Sequence, residues 1–295
     1  MRLQRTLKQE VGFEGIGLHT GQYSKVCLKP APRDTGIIFR KPDHSGDKRI
    51  TIKPSVNSVI DTAFSTTIGY NGAKIRTVEH ILATLSGLGI DNVIIDVIGQ
   101  EIPILDGSSI ELTNIILQSG IAKQGQKKPY LRILKPVIFT DRNSEIAVFP
   151  FNGRRISYRI YFNHQLLGEQ NLSLDITEET FIKEIAPART FGFLKDVEYL
   201  RANGYAKGGS FENAIILGKD GILNSTGLRF KDEFVRHKIL DLIGDLSLIG
   251  LPIYGHIIAS KAGHSTNIKF LKKLLYHQDC WEIVSEASQH CYAYT

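Results

Sequence analysis

Cysteine is scarce in this chain: there are three, Cys27, Cys280 and Cys291, and no CxxC pair. An odd, widely spaced set excludes a disulfide-stapled secreted framework and a cysteine-based zinc site. Long apolar runs are missing as well. The most apolar stretch, residues 239–259, holds Asp241, Asp245, Pro252 and His256, so it does not read as a membrane span. The opening MRLQRTLKQEVGFEG lacks the apolar core of a signal peptide. No block of like charge concentrates the net +6, which weakens a nucleic-acid reading and suits an anionic small molecule equally well. The glycine pair in KGGSFEN matches neither a P-loop nor GxGxxG, and no GxSxG elbow occurs. What remains is 295 residues of ordinary composition, 42% hydrophobic and 22% charged, enough for one large or two medium domains that need no staple. A cytoplasmic protein with no stable membrane insertion is the expectation.

The first third reads mainly as short strands: VGFEGIGLH, YSKVCLK, TGIIFRK and KRITIKP, separated by Gly, Pro and Asp signals. A helix is expected from Thr77 to about Leu88, with Val78, Ile81, Leu82 and Leu85 on one stripe. NVIIDVIG follows as a buried strand, and Ser108 or Ser109 can start a helix that ends at Gly120. AKQGQKKP, residues 122–129, reads as a linker. Strands resume in YLRILKPVIF, EIAVFPF, RISYRIYFN and NLSLDI, then a short helix from Thr177 through Ile185. Residues 186–217 read as irregular, 232–249 as a long amphipathic helix, IYGHIIAS as a strand and 266–277 as a last helix. The two parts echo each other. Val78-Glu79-His80 on a helix precedes a Gly-bounded strand and Gly107-Ser108-Ser109; Val235-Arg236-His237 precedes a Gly-bounded strand and Gly263-His264-Ser265. A duplicated sheet-plus-two-helix unit gives this pattern, and so does chance recurrence of a common arrangement.

Three sets of side chains can carry chemistry. His237, Asp241 and Asp245 stand at i, i+4 and i+8, on one face of the expected long helix. A His and a carboxylate one turn apart can share a metal, although an exposed His–Asp pair is the common alternative; apolar neighbours on both sides argue against exposure. Glu79 and His80 are adjacent and point ~100° apart on a helix, so one can ligate while the other stands beside it as a base. His80 with His237 and Asp241 makes three ligands and an open fourth position, the pattern of a catalytic zinc. His264 reads as a mobile loop residue at the start of a helix, and Thr190 as a hydroxyl donor beside two aromatics.

TVEHILATLSGLGIDN, ARTFGF, GGSFENAII, LRFKDEFVRHKILDLIGDL, the Gly-His-Ser of GHSTN and the segment Gly15 to Gly21 resemble, in order and over residues 15 to 267, the UDP-3-O-acyl-N-acetylglucosamine deacetylases, zinc amidases of lipid A biosynthesis. The resemblance implies an α+β fold of two β-α-α-β domains packed helix layer to helix layer with the active site between them. The expected domains are residues 1–124 and 125–295, the second with an insertion at about 194–215 that forms a passage for an acyl chain. It implies a zinc ion, with iron(II) also accommodated, held by His80, His237 and Asp241. It also implies Glu79 as general base, His264 as general acid, Thr190 as donor to the carbonyl oxygen and Asp245 as the carboxylate that orients His264. Substrate contacts are implied at Lys238, Phe162, Phe191, Gly209 and His19. The substrate is a UDP-linked acylated glucosamine, the products are acetate and a free amine, and the enzyme is expected to be a monomer. Rival readings are a zinc hydrolase acting on another amide or ester, a nucleic-acid binder and a two-layer small-molecule kinase.

Overall fold

A computed structural model of the chain describes residues 1–43, 46, 48–165 and 167–286, so Cys291 and the last residues of the expected second domain lie outside it. The structure is mixed α+β. Its first main sheet runs Val11–Ile16, Tyr23–Pro30, Val93–Ile98, Ile37–Pro42, Arg49–Ile52 across space. Neighbours are antiparallel except Ile37–Pro42 beside Val93–Ile98. The second sheet runs Val137–Asp141, Ser144–Phe149, Ile253–Ser260, Arg154–Tyr161, Glu169–Asp175, again with one parallel neighbour, Arg154–Tyr161 beside Ile253–Ser260. Counted along the chain, both orders are first, second, fifth, third, fourth. Tyr130–Ile133 and Trp281–Val284 extend the second sheet from the start of Ile253–Ser260.

The helices are α1 (Glu79–Gly87), α2 (Ile110–Ser119), α3 (Glu178–Thr180), α4 (Leu194–Ala202), α5 (Glu233–Leu246) and α6 (His264–Tyr276). Strand alternation turns Val26 and Leu28, and in the second sheet Ile156, Tyr158 and Ile160, into the core. α1 is buried on nearly every face, as a helix enclosed by other elements must be. It packs on α5, and Gly244 sets how close they come: a Cβ there would stand 2.1 Å from the Glu79 carbonyl oxygen. No helix among the described residues is long and apolar enough to cross a membrane.

Three expectations change. Residues 122–129 are not a linker: Ile121–Lys127 is a strand paired antiparallel with Leu3–Leu7. Its polar, half-exposed face hides the strand pattern, and its partner lies at the other end of the first half of the chain. Residues 186–217 are not irregular throughout. Phe191–Phe193 and Ile215–Leu217 pair in parallel, with α4 on the crossover between them. His264 is not on a loop; it is the first residue of α6, and its side chain is enclosed. The strands Val59–Asp61, Thr67–Tyr70 and Ala73–Ile75 form a further small sheet that the sequence pattern did not reveal.

Candidate active site

The N-terminal turn of α1 meets the middle of α5, and two groups of side chains form at that contact. In the first, donor atoms of His80, His237 and Asp241 all lie within 4.8 Å of one another. The Nε2 atoms of His237 and His80 stand 3.4 Å and 3.7 Å from the same Asp241 oxygen, Oδ1. His237 Nδ1 donates to the Ala188 carbonyl at 3.1 Å, which fixes the tautomer and leaves an Nε2 lone pair facing the carboxylate. Burial drives the His237 pKa down to about 4, further than the Asp241 charge can restore it, so the ring is neutral at pH 7. Burial also opposes the Asp241 charge, but Lys238, His237 and His80 outweigh it and hold the carboxyl well below its usual range. Two imidazoles and an ionised carboxylate converging on one point suit a divalent cation. Among the described residues no other cluster of three His, Cys, Asp or Glu side chains has this spacing.

The second group centres on Asp245, one turn beyond Asp241. His264 Nδ1 donates to Asp245 Oδ2 at 2.8 Å, Asn267 Nδ2 donates to the same oxygen at 2.7 Å, and the Thr66 hydroxyl donates to Oδ1 at 2.6 Å. Thr66 also donates its backbone N–H to Glu79 Oε2 at 2.9 Å. Glu79 Oε1 then lies 3.9 Å from His264 Nε2. Burial works against a charged His264, but Asp245, Glu79 and Asp241 prevail and raise its pKa to about 9. Burial raises Glu79 to about 7, against the lowering effect of His264 and His80. A carboxylate able to accept a proton near neutrality thus faces an imidazolium able to give one, beside a cation-ready cluster.

The remaining expected residues fall around these groups. Lys238 Nζ donates to Asp241 Oδ2 at 2.7 Å and stands 5.8 Å from the centre of the Phe191 ring. Phe191 contacts Phe162, with ring centres 5.8 Å apart, and lies 6.3 Å from the His237 ring. Thr190 donates its backbone N–H to Gly107 O at 2.7 Å, two residues after the carbonyl that holds His237. His19 and Gly209 belong to a neighbouring loop contact: the His19 backbone N–H donates to Glu101 Oε1, and its ring meets Tyr205 edge-on at 5.6 Å. The Gly208 N–H donates to Leu18 O beside them. Glu101, fully buried, also accepts from Thr20 and from Thr77 at the start of α1. Gly17 is required there, because a Cβ would stand 2.3 Å from Glu101 Oε2.

Several residues that complete the site were not picked out from sequence. Thr66 bridges Glu79 to Asp245, and Asn267 supports Asp245. Glu233, on the first turn of α5, takes the Arg189 guanidinium at 2.9 Å and its backbone N–H at 3.0 Å, which anchors the segment 188–190, just before the Phe191–Phe193 strand, next to His237. Asn267 has a usable signal, being one turn after His264 on a helix that starts at the site; Thr66 has none.

Residues 4–276 match the family profile described as LpxC, UDP-3-O-acyl N-acetylglycosamine deacetylase. The chain belongs to this family. It is 51% identical over 286 residues to the UDP-3-O-acyl-N-acetylglucosamine deacetylase of Thermodesulfovibrio yellowstonii, covering 97% of this chain and 96% of that protein. It is 48% identical over 285 residues to the one of Syntrophus aciditrophicus, covering 97% and 90%, and 44% identical over 292 residues to the one of Syntrophotalea carbinolica, covering 98% and 94%. The LpxC match spans the first main sheet, all of the second except Trp281–Val284, and every residue of the two groups above.

Proposed function

We propose that the chain hydrolyses the N-acetyl group of a UDP-3-O-acyl-N-acetylglucosamine to acetate and the free amine, in lipid A biosynthesis, with His80, His237 and Asp241 holding zinc. The observation that carries this reading is the adjacency of the two groups: a three-donor cluster next to a Glu79–His264 pair, with the carboxyl raised by burial and the imidazole held charged by Asp245. Bound there, zinc supplies a Lewis acid that polarises a carbonyl and lowers the pKa of a water towards ~7; the same donors accept iron(II).

The chain's own residues supply the rest. Glu79, oriented by the Thr66 N–H, takes the proton of the water that attacks the acetyl carbon. The Thr190 hydroxyl donates to the carbonyl oxygen as charge gathers on it. His264, held charged by Asp245, stabilises the tetrahedral state and gives its proton to the leaving nitrogen as the C–N bond breaks. Lys238, Phe162 and Phe191 form one wall for the nucleotide-linked sugar, and His19 and Gly209 lie along its other side. The acyl chain runs past α4, which has no buried residue and carries exposed Leu194 and Tyr199, with Phe211 exposed beyond it. Each buried CH₂ contributes ~0.8 kcal/mol to binding.

The matching strand orders support a duplicated β-α-α-β unit, divided near residue 124, with the site where α1 and α5 meet. Both groups come from one chain, so a cytoplasmic monomer suffices. The test is metal content of the purified protein together with deacetylation before and after chelation. About one metal per chain, with activity lost on chelation and restored by zinc, is expected; a fully active metal-free protein overturns the mechanism.

A further inference from the structure

At the opposite ends of α1 and α5 from the site lies a cavity of about 420 Å³ that shares no residue with it. It opens between the two main sheets, next to Ser86 just before the end of α1 and Leu246 at the end of α5. Five cationic side chains line it against two carboxylates. One of those carboxylates, Asp91, is already saturated: Arg2 grips it through two hydrogen bonds of 2.6 and 2.9 Å, the Arg5 N–H donates to it, and Lys128 stands 3.6 Å away. Arg154 has no carboxylate within ion-pair distance among the described residues; its one side-chain hydrogen bond goes to the Ser86 hydroxyl at 3.1 Å. Arg154 is half-buried on the cavity wall, and a partly desolvated guanidinium with only a neutral partner is costly to keep. Burial lowers its pKa to about 10, which still leaves it charged at neutral pH. The rest of the wall mixes neutral polar side chains such as Gln4, Asn92 and Ser247 with an apolar side that includes Ile156, Ile176 and Ile243. Concave, mostly apolar walls with a few convergent polar groups are the general form of small-ligand sites.

We propose that this cavity is a second ligand site, for a small amphiphile whose phosphate or carboxylate head pairs with Arg154 and whose hydrocarbon body lies on the isoleucine wall. The rival account is that Arg154 only complements the carbonyl ends of α1 and α5. Titration calorimetry of the metal-loaded full chain with decyl phosphate, decanoate and inorganic phosphate separates them. Saturable binding of decyl phosphate or decanoate is expected, with whichever binds tighter naming the head group. Arg154→Met should weaken it about tenfold or more, because a charge-assisted pair is lost. It should also leave the ligand-free melting temperature equal or higher. Lys128→Gln, on the rim, serves as a second variant with the same direction, and Lys238→Ala, in the other site, should bind as the wild type does. No saturable binding up to millimolar probe, unchanged binding in Arg154→Met, or loss confined to Lys238→Ala overturns the site. Inorganic phosphate binding as tightly as decyl phosphate overturns the role given to the apolar wall.

Discussion

The two halves of the molecule contribute to the site in different ways. The first half offers neighbouring residues, Glu79 and His80, whose side chains diverge at the start of a short, buried helix. The second half offers a row, His237, Asp241 and Asp245, spread over more than two turns of a longer helix, plus His264 from the next one. Neither half completes either group. The three-donor cluster takes His80 from one side and His237 and Asp241 from the other; the group around Asp245 takes Glu79 and Thr66 from one side and His264 and Asp245 from the other. One helix turn that points two ways can serve two neighbouring centres, provided the partner helix lies almost in contact with it. Gly244 supplies that closeness.

Separate substitutions test whether the two centres are as distinct as the geometry has them. The largest effect is expected from His237→Ala, which should lose metal and deacetylation together; a variant with full metal content removes His237 from the ligand set. Glu79→Ala should retain the metal and lose ~10²- to 10⁴-fold in kcat. Near-normal turnover in that variant would end its role as base. His264→Ala should fall within the same range and also change the pH profile. In the parent, rate should rise as Glu79 loses its proton and fall as His264 loses its own near pH 9. The acid limb sits at or below about 7, since a bound cation lowers Glu79 further. Loss of the basic limb in His264→Ala is the diagnostic result. Thr66→Val should cost roughly 10- to 100-fold in kcat, because Asp245 loses a charged hydrogen bond while the metal stays. The smallest and broadest change should come from Gly244→Ala. Its new Cβ must push α1 and α5 apart at a cost of ~1–3 kcal/mol, and both metal affinity and kcat should drop together. If only one of them drops, the two centres do not share that contact.

The sequence reveals the second half's contribution better than the first's. His237, Asp241 and Asp245 recur at helical spacing, so periodicity alone puts them on one face, and the fold keeps them there. Glu79 and His80 have no periodicity; only the resemblance and the internal echo select them. Thr66 cannot be found locally, because its two partners come from α1 and α5, and the hydroxyl-rich FSTTIGY run gives no reason to prefer one threonine. The α+β class and most strands follow from alternation. The strand at Ile121–Lys127 does not, since an edge strand with a polar face looks like a linker until its distant partner is known.

That distant partner has a consequence for how the chain is made. Leu3–Leu7 leaves the ribosome well before its partner, since the strand it pairs with, Ile121–Lys127, ends well over a hundred positions later. Until then, Leu7, whose side chain is almost wholly enclosed in the finished protein, has no ladder to join, and the Arg5 carbonyl can meet only the Asp91 and Asn92 amides. Closing so long a loop is slow relative to local hairpins. The opening strand is therefore a late clasp on the first half during synthesis, and shielding of nascent Leu3 and Leu7 falls to whatever meets the chain as it emerges.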